Sequence, residues 1–245
     1  MSALLLRGQY KVTCVLYAEA SYAALQAVDI RSRDKKLYLL NVYEGAYLKA
    51  YLRCFHDLRN CGSFREMFVW EESLVAVFDC RQGFPVDRVF YKGASVDWHL
   101  RMKAAADLFR QALLMSDMPP EISCAALLSE NVQMFLEEEC LRVNYMVPPL
   151  GEMNQRELVF LLSDQIQKIL EIRWDSPQQE RAFVRELSRG GERSVVAAYG
   201  KWTAAEPGIL AAYEELEGMS ALKRMLTLLV LNLKDWVKLR FNKRS

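Results

Sequence analysis

Histidine is nearly absent: the 245 residues hold two, His56 and His99, far apart in sequence. The cysteines, at 14, 54, 61, 80, 124 and 140, include no CxxC pair and no clustered partners. Structural zinc needs closely spaced Cys and His, and a disulfide scaffold needs dense Cys in a small secreted chain, so neither organises this sequence. The thiols are expected as reduced packing residues. Charge of one sign is not in excess either. Lys and Arg total 32 against 31 Asp and Glu, a formal net charge of +1, which leaves no global field to draw in nucleic acid. Long apolar runs are missing. The strongest, MLTLLVLNL at residues 225–233, is broken by Asn232 and followed by Lys234, well short of the roughly 20 residues of a membrane span. The opening MSALLLRGQYKV carries only a short apolar patch before Arg7 and no basic n-region, so the expectation is a cytoplasmic chain. No G-x-S-x-G, Walker P-loop or dinucleotide fingerprint occurs.

What is present is a hydrophobic content of 52%, ample for a core. From Gln9 to Val42 the segments YKVTCVLYA, YAALQAVDI and KLYLLNVY read as three antiparallel strands, the first two joined around AEAS without a glycine. Tyr47, Leu48, Tyr51, Leu52, Phe55 and Leu58 then recur at helical spacing, with Asn60 to Ser63 as the stop and Gly62 suited to the cap. EMFVWEE and SLVAVFDC supply two more strands. CRQGFP, with Gly83 and Pro85, marks a boundary near residues 81–85. Beyond it VDWHLRMKAAADLFRQALLM is strongly helical, Asp97 favouring its N-terminus and His99 reading as packing or solvent-facing. In ISCAALLSENVQMFLEEECLRVNYM, residues 122–146, ISCAA reads as a strand, and VQMFLEE and CLRVNYMV as two more about a loop. Five helical segments follow, SVVAAYGKWTAAE and PGILAAYEELEG counted separately because Pro207 divides them.

This order of elements resembles the two-lobed protein kinase family. It implies an α+β fold: a five-stranded antiparallel N-lobe with one helix over residues 1–83 and a mostly helical C-lobe over 84–245, one kinase-like domain in total. Kinases cradle ATP phosphates under a glycine-rich loop, pair a strand lysine with a helix glutamate, and use H-R-D-L-x-x-x-N and D-F-G for the base and the metal. Matched to those motifs, LYAEASY has no glycine and adds Glu19, and LYLLNVY puts Asn41 at the lysine position. The following helix offers only Asp57 as an acid. ALLSEN puts Asn131 at the metal-binding asparagine but Ala126 at the catalytic aspartate, with Cys124 and Ala125 in place of His-Arg. Asn144, Tyr145 and Met146 stand where D-F-G would be. The resemblance therefore implies a pseudokinase with no catalytic residue and no cofactor. In logic it is similar to the cytosolic pseudokinase domain of bacterial type VII secretion subunits: a scaffold that binds another protein in a secretion or signalling assembly. The rival is a divergent kinase-like phosphotransferase, which would need acidic groups converging on the cleft between the lobes.

Runs such as Glu137-Glu138-Glu139 and Glu214-Glu215 read as solvated turns or helix faces, without a histidine or glycine-rich loop beside them. Tyr38, Tyr43, Tyr47 and Tyr51 fit packing better than base stacking, and no basic stripe interleaves them, which disfavours nucleic acid. The C-terminus has one local bias. Lys234, Lys238 and Arg240 interleave with Trp236 and Phe241 there, a pattern suited either to an anionic membrane surface or acidic partner, or to a last helix whose cations meet its own dipole.

Overall fold

The computed structural model describes residues 4–58 and 60–242, with side chains of the last helix described as far as 237. Its first part is an antiparallel sheet built from β1 (Leu5–Leu6), β2 (Tyr10–Glu19), β3 (Tyr22–Asp29), β4 (Leu37–Tyr43), β5 (Phe64–Trp70) and β6 (Ser73–Asp79), in the order β1-β2-β3-β4-β6-β5. The sheet therefore has six strands rather than the expected five. The short β1 adds to the edge of β2, where Leu6 is buried against Tyr10 and so gains the core contact that its sequence neighbours lack.

Both faces of the sheet are filled, and the side-chain alternation shows how. Leu39, Tyr43, Leu74, Ala76 and Phe78 point to one face, toward Tyr51 and Phe55 of α1 (Ala46–His56), while Leu40, Val75 and Val77 point to the other with Leu6, Tyr10 and Leu25. Two register shifts in β2, at Val12/Cys14 and Val15/Tyr17, let the sheet curl around that second cluster. Gly45 starts α1 at φ 57, a left-handed conformation that glycine adopts without strain. The helix ends earlier than its apolar spacing predicts. Asp57 is its C-cap, bonding back to Arg53 and Phe55, so Gly62 takes no part in the cap.

The second part is mostly helical. A small antiparallel sheet, β7 (Phe84–Pro85), β8 (Val132–Phe135) and β9 (Cys140–Val143), sits among α2 (Val86–Val89), α3 (Trp98–Met115), α4 (Pro120–Ala126), α5 (Gln155–Ile169), α6 (Gln178–Leu187), α7 (Val195–Gly218) and α8 (Ala221–Asn242). Phe84 and Pro85, expected as linker, pair with Met134 and Gln133. Gly83 permits that approach, since a Cβ there would lie 2.9 Å from the carbonyl oxygen of Met134. ISCAA is helical, not extended. Pro120 is fixed in the first turn of α4, and every residue from Ile122 to Ala126 is buried, so packing overrides the local strand-like look.

At the centre lies α3, capped by Asp97, whose carboxylate accepts the His99 amide at 2.7 Å. His99 itself is solvent-exposed and bonds Asp97 at 2.9 Å. One side of α3 carries Phe109 into a ring cluster with Phe183 and Trp202, stacked on the latter at 5.3 Å. α7 runs unbroken through Pro207. Trp202 on one side of it and Ile209, Ala212 and Tyr213 on the other are all buried, and this packing holds the helix through a residue that costs about 3 kcal/mol in a helix interior. No described helix is long and apolar enough to cross a membrane.

Candidate functional site

Between the curled sheet and the helical part lies a cleft of about 440 Å³ lined by Leu16, Leu39, Cys80, Gln82, Gln133 and Met146, with Asn131 and Asn144 at its edge. Its position follows from the fold: β2 and β4 form one wall, the segment after β6 a second, and β8 with the chain after β9 a third. The lining is largely apolar. Glu130 is the one carboxylate among its described residues.

Three asparagines hold the chain segment beside the cleft, Asn131 and Asn144 lining it and Asn41 buried behind it, and each makes the same kind of bond. Asn41, in the middle of β4 and fully buried, accepts the Val147 amide at 2.7 Å through Oδ1 and donates through Nδ2 to the Tyr145 carbonyl at 2.8 Å. Asn131 accepts the Met146 amide at 2.9 Å and donates to the Met146 carbonyl at 2.7 Å and to the Ala125 carbonyl at 2.7 Å. Asn144 accepts the Arg81 amide at 3.2 Å and donates to the Arg81 carbonyl at 2.9 Å. A side-chain amide carries a donor and an acceptor side by side, as a peptide group does, so each asparagine pairs with main chain as a strand neighbour would. Lysine can only donate, and ionised aspartate can only accept. These pairs fix the segment from Asn144 to Val147 against the sheet, α4 and the segment after β6.

Tyrosines extend the seam. Tyr22 donates its hydroxyl to Oδ1 of Asn41 at 2.8 Å, Tyr43 donates to the Val147 carbonyl at 2.6 Å, and Tyr51 donates to the Pro148 carbonyl at 3.3 Å. Tyr43 stacks on Tyr51 at 4.3 Å and lies tilted against Tyr22, and burial pushes all three phenols up, Tyr51 to about 12. They are neutral hydrogen-bond donors at any physiological pH.

The other positions singled out in the sequence fall as follows. Ala126 is the last residue of α4, fully buried, with no functional group to present. Cys124 lies in the same helix, and burial pushes its thiol up to about 12. Glu19 ends β2 beside the two-residue turn Ala20–Ser21 and takes a short hydrogen bond from the Tyr17 hydroxyl. Asp57 caps α1. The structure thus brings Asn41, Asn131 and Asn144 together through one chain segment. Glu19 and Asp57 do not line the cleft. Lys234 and Trp236 sit on α8, away from it, while the side chains of Lys238, Arg240 and Phe241 lie outside the described residues.

Sequence reading alone missed the anchors beneath the S-E-N turn. Ser129 accepts from Lys168 at 2.9 Å and from Gln165 at 3.2 Å, and Gln165 also donates to the Leu127 carbonyl at 3.0 Å. These are contacts from α5, more than thirty residues downstream, and no local motif announces them.

The fold implies ATP and magnesium, and the residues present do not fit them. The amides of Asn41, Asn131 and Asn144 are already occupied by main chain, and among the described residues no lysine lines the cleft and no group of three His, Cys, Asp or Glu could hold a metal. All six cysteines are free thiols.

Neither a protein-family model nor a curated protein sequence matches the chain. Solved structures do. The apo GRMZM2G135359 pseudokinase superposes with a TM-score of 0.58 at 9% identity, over 80% of this chain and 92% of that one. Rad53 residues 1–466, in complex with AMP-PNP, superposes with a TM-score of 0.56 at 12% identity, over 79% of this chain and 65% of that one. The chain has a protein-kinase-like fold.

Proposed function

We propose that the chain is a catalytically inactive kinase-like scaffold or regulatory module that binds another protein in the cytoplasm. The observation that carries this reading is the segment beside the cleft, where the three asparagines matched by the resemblance to kinase catalytic motifs are bound to main chain. A pseudokinase among the structural neighbours supports it. The division into lobes near residues 81–85, and a place in a bacterial secretion or signalling assembly, belong to the same proposal and rest on the resemblance in element order. A divergent phosphotransferase would need converging carboxylates, and Glu130 stands alone among the described lining residues.

The test is phosphoryl transfer. Purified chain incubated with γ-labelled ATP and magnesium or manganese, alone and with a generic basic acceptor protein, is expected to incorporate no label above a no-enzyme blank. Robust autophosphorylation would overturn the reading. Adenosine, which carries no phosphate, is expected to leave the melting temperature unchanged.

One observation favours a membrane role as a second reading. α8 leaves Leu222, Leu226, Leu229, Leu233 and Trp236 exposed along one stripe, flanked by Lys223 and Lys234, while its other side is pinned by Asp235 to Arg181 at 2.8 Å and to Arg185 at 3.0 Å. Vesicles containing anionic lipid should then float the intact chain but not one truncated after Leu233. Equal recovery of both would exclude this role for the C-terminal end.

A further inference from the structure

A second cavity, of about 640 Å³, shares Arg81 and Asn144 with the cleft. It is lined by Lys36, which precedes β4, Arg65 of β5, Arg81, which follows β6, Arg110 of α3 and Arg142 of β9, against Asp79 and Asp107. Five cations face two carboxylates among the described lining residues, in a chain whose total charge is nearly balanced. The concentration is local, and the sequence hides it because the five positions are scattered from 36 to 142.

The acids present do not neutralise the cations. Asp79 is shared: Lys36 reaches it at 2.8 Å and the Arg65 guanidinium grips it through both oxygens. Burial alone would raise the Asp79 carboxyl, but Arg65 and Lys36 outweigh that and hold it below its usual range, so it contributes one negative charge to two positive ones. Asp107 takes Arg110 at 3.1 Å and also the Leu141 amide at 3.1 Å. Arg142 pairs at 2.8 Å with Glu138, which is half-exposed and not among the cavity's lining residues. Arg81 has no ion pair among the described residues.

We infer that this cavity binds a small, multiply charged anion bearing phosphate groups. Four of the five cations are arginines, whose forked guanidinium matches phosphate oxygens two at a time, and all five line one cavity. The volume lies within the range of small-ligand sites. With Glu138 counted, five cations stand against three carboxylates, an excess of two positive charges that a multiply charged phosphate anion matches and a monovalent anion does not. The ligand would touch sheet residues (Arg65) and helical-part residues (Arg110, Arg142) together, and so bind best when those parts hold this arrangement. The inference is independent of the inactive-kinase reading, because it rests on side-chain charge, whereas Arg81, which lines both cavities, meets Asn144 through its main chain.

Inorganic triphosphate is the probe, with thermal unfolding and isothermal titration as readouts and sodium chloride matching the ionic strength. At a hundredfold excess over its dissociation constant, triphosphate is expected to raise the melting temperature by about 5–10 °C. The double variant Arg81→Gln/Arg142→Gln should lose this rise, and Lys234→Gln on α8 should keep it. No rise in the parent chain, or an equal rise in the double variant, would overturn the site. Should the double variant not fold, Arg81→Gln alone removes no ion pair among the described residues and is expected to weaken triphosphate binding about tenfold. An unchanged affinity there would also count against the site. Adenosine should give no shift, which separates this cavity from nucleoside binding in the cleft.

Discussion

Asn41→Lys is expected to destabilise the protein by about 3–5 kcal/mol. The buried amide accepts from the Val147 amide and the Tyr22 hydroxyl and donates to the Tyr145 carbonyl. Lysine cannot accept either hydrogen bond, and it places an ammonium in a fully buried position where the described partners of Asn41 are a hydroxyl and main-chain groups rather than a carboxylate. For a chain of this size the melting temperature should fall by about 6–15 °C. Asn41→Leu separates the two causes, because it removes the hydrogen bonds without adding charge. It should cost less than lysine, about 2–4 kcal/mol for the two main-chain groups left unpaired. A lysine variant as stable as the parent would show that Asn41 does not hold the segment.

The second large effect is expected in the helical part. Arg101, on α3 and almost fully buried, reaches Glu180 of α6 at 2.5 Å and donates to the Ile169 carbonyl at 3.1 Å and the Glu171 carbonyl at 2.9 Å. Glu180 also takes a short hydrogen bond from the Tyr213 hydroxyl of α7. One guanidinium therefore closes the end of α5, where carbonyls have no helical partner, and ties three helices together. Arg101→Met leaves the Glu180 charge buried and should cost about 3–5 kcal/mol. Arg101→Met/Glu180→Leu should recover part of that loss, since no charge is then stranded, but not all of it, since the α5 carbonyls remain unpaired. Denaturant unfolding of the two variants and of Glu180→Leu checks this. Additive losses would mean the pair is not coupled.

Much of the fold could be read from the residues. Strand alternation and the helical spacing of Tyr47 to Leu58 placed the sheet and α1, because each element buries a face whose period is written locally. Where reading failed, the deciding contacts were distant. ISCAA looks extended until Pro120 and five buried neighbours make it α4, and Pro207 looks like a break until packing on both sides carries α7 through it. The three asparagines stood out in the sequence by type, yet the bonds they make did not. That Asn41, Asn131 and Asn144 each pair with main chain depends on partners up to 106 residues away, which no local pattern encodes. The arginines around the second cavity were invisible for the same reason.

Amide hydrogen exchange at Met146 and Val147 tests the central claim most directly. Both N–H groups donate to asparagine side chains, Met146 to Asn131 at 2.9 Å and Val147 to Asn41 at 2.7 Å. If the asparagines fix this segment as part of the core, both amides exchange as slowly as those of the buried strands β4 and β6, and adenosine leaves them unchanged. Rapid exchange at either amide, or protection that changes on adding adenosine, would show a mobile segment at a working nucleotide site and contradict the claim.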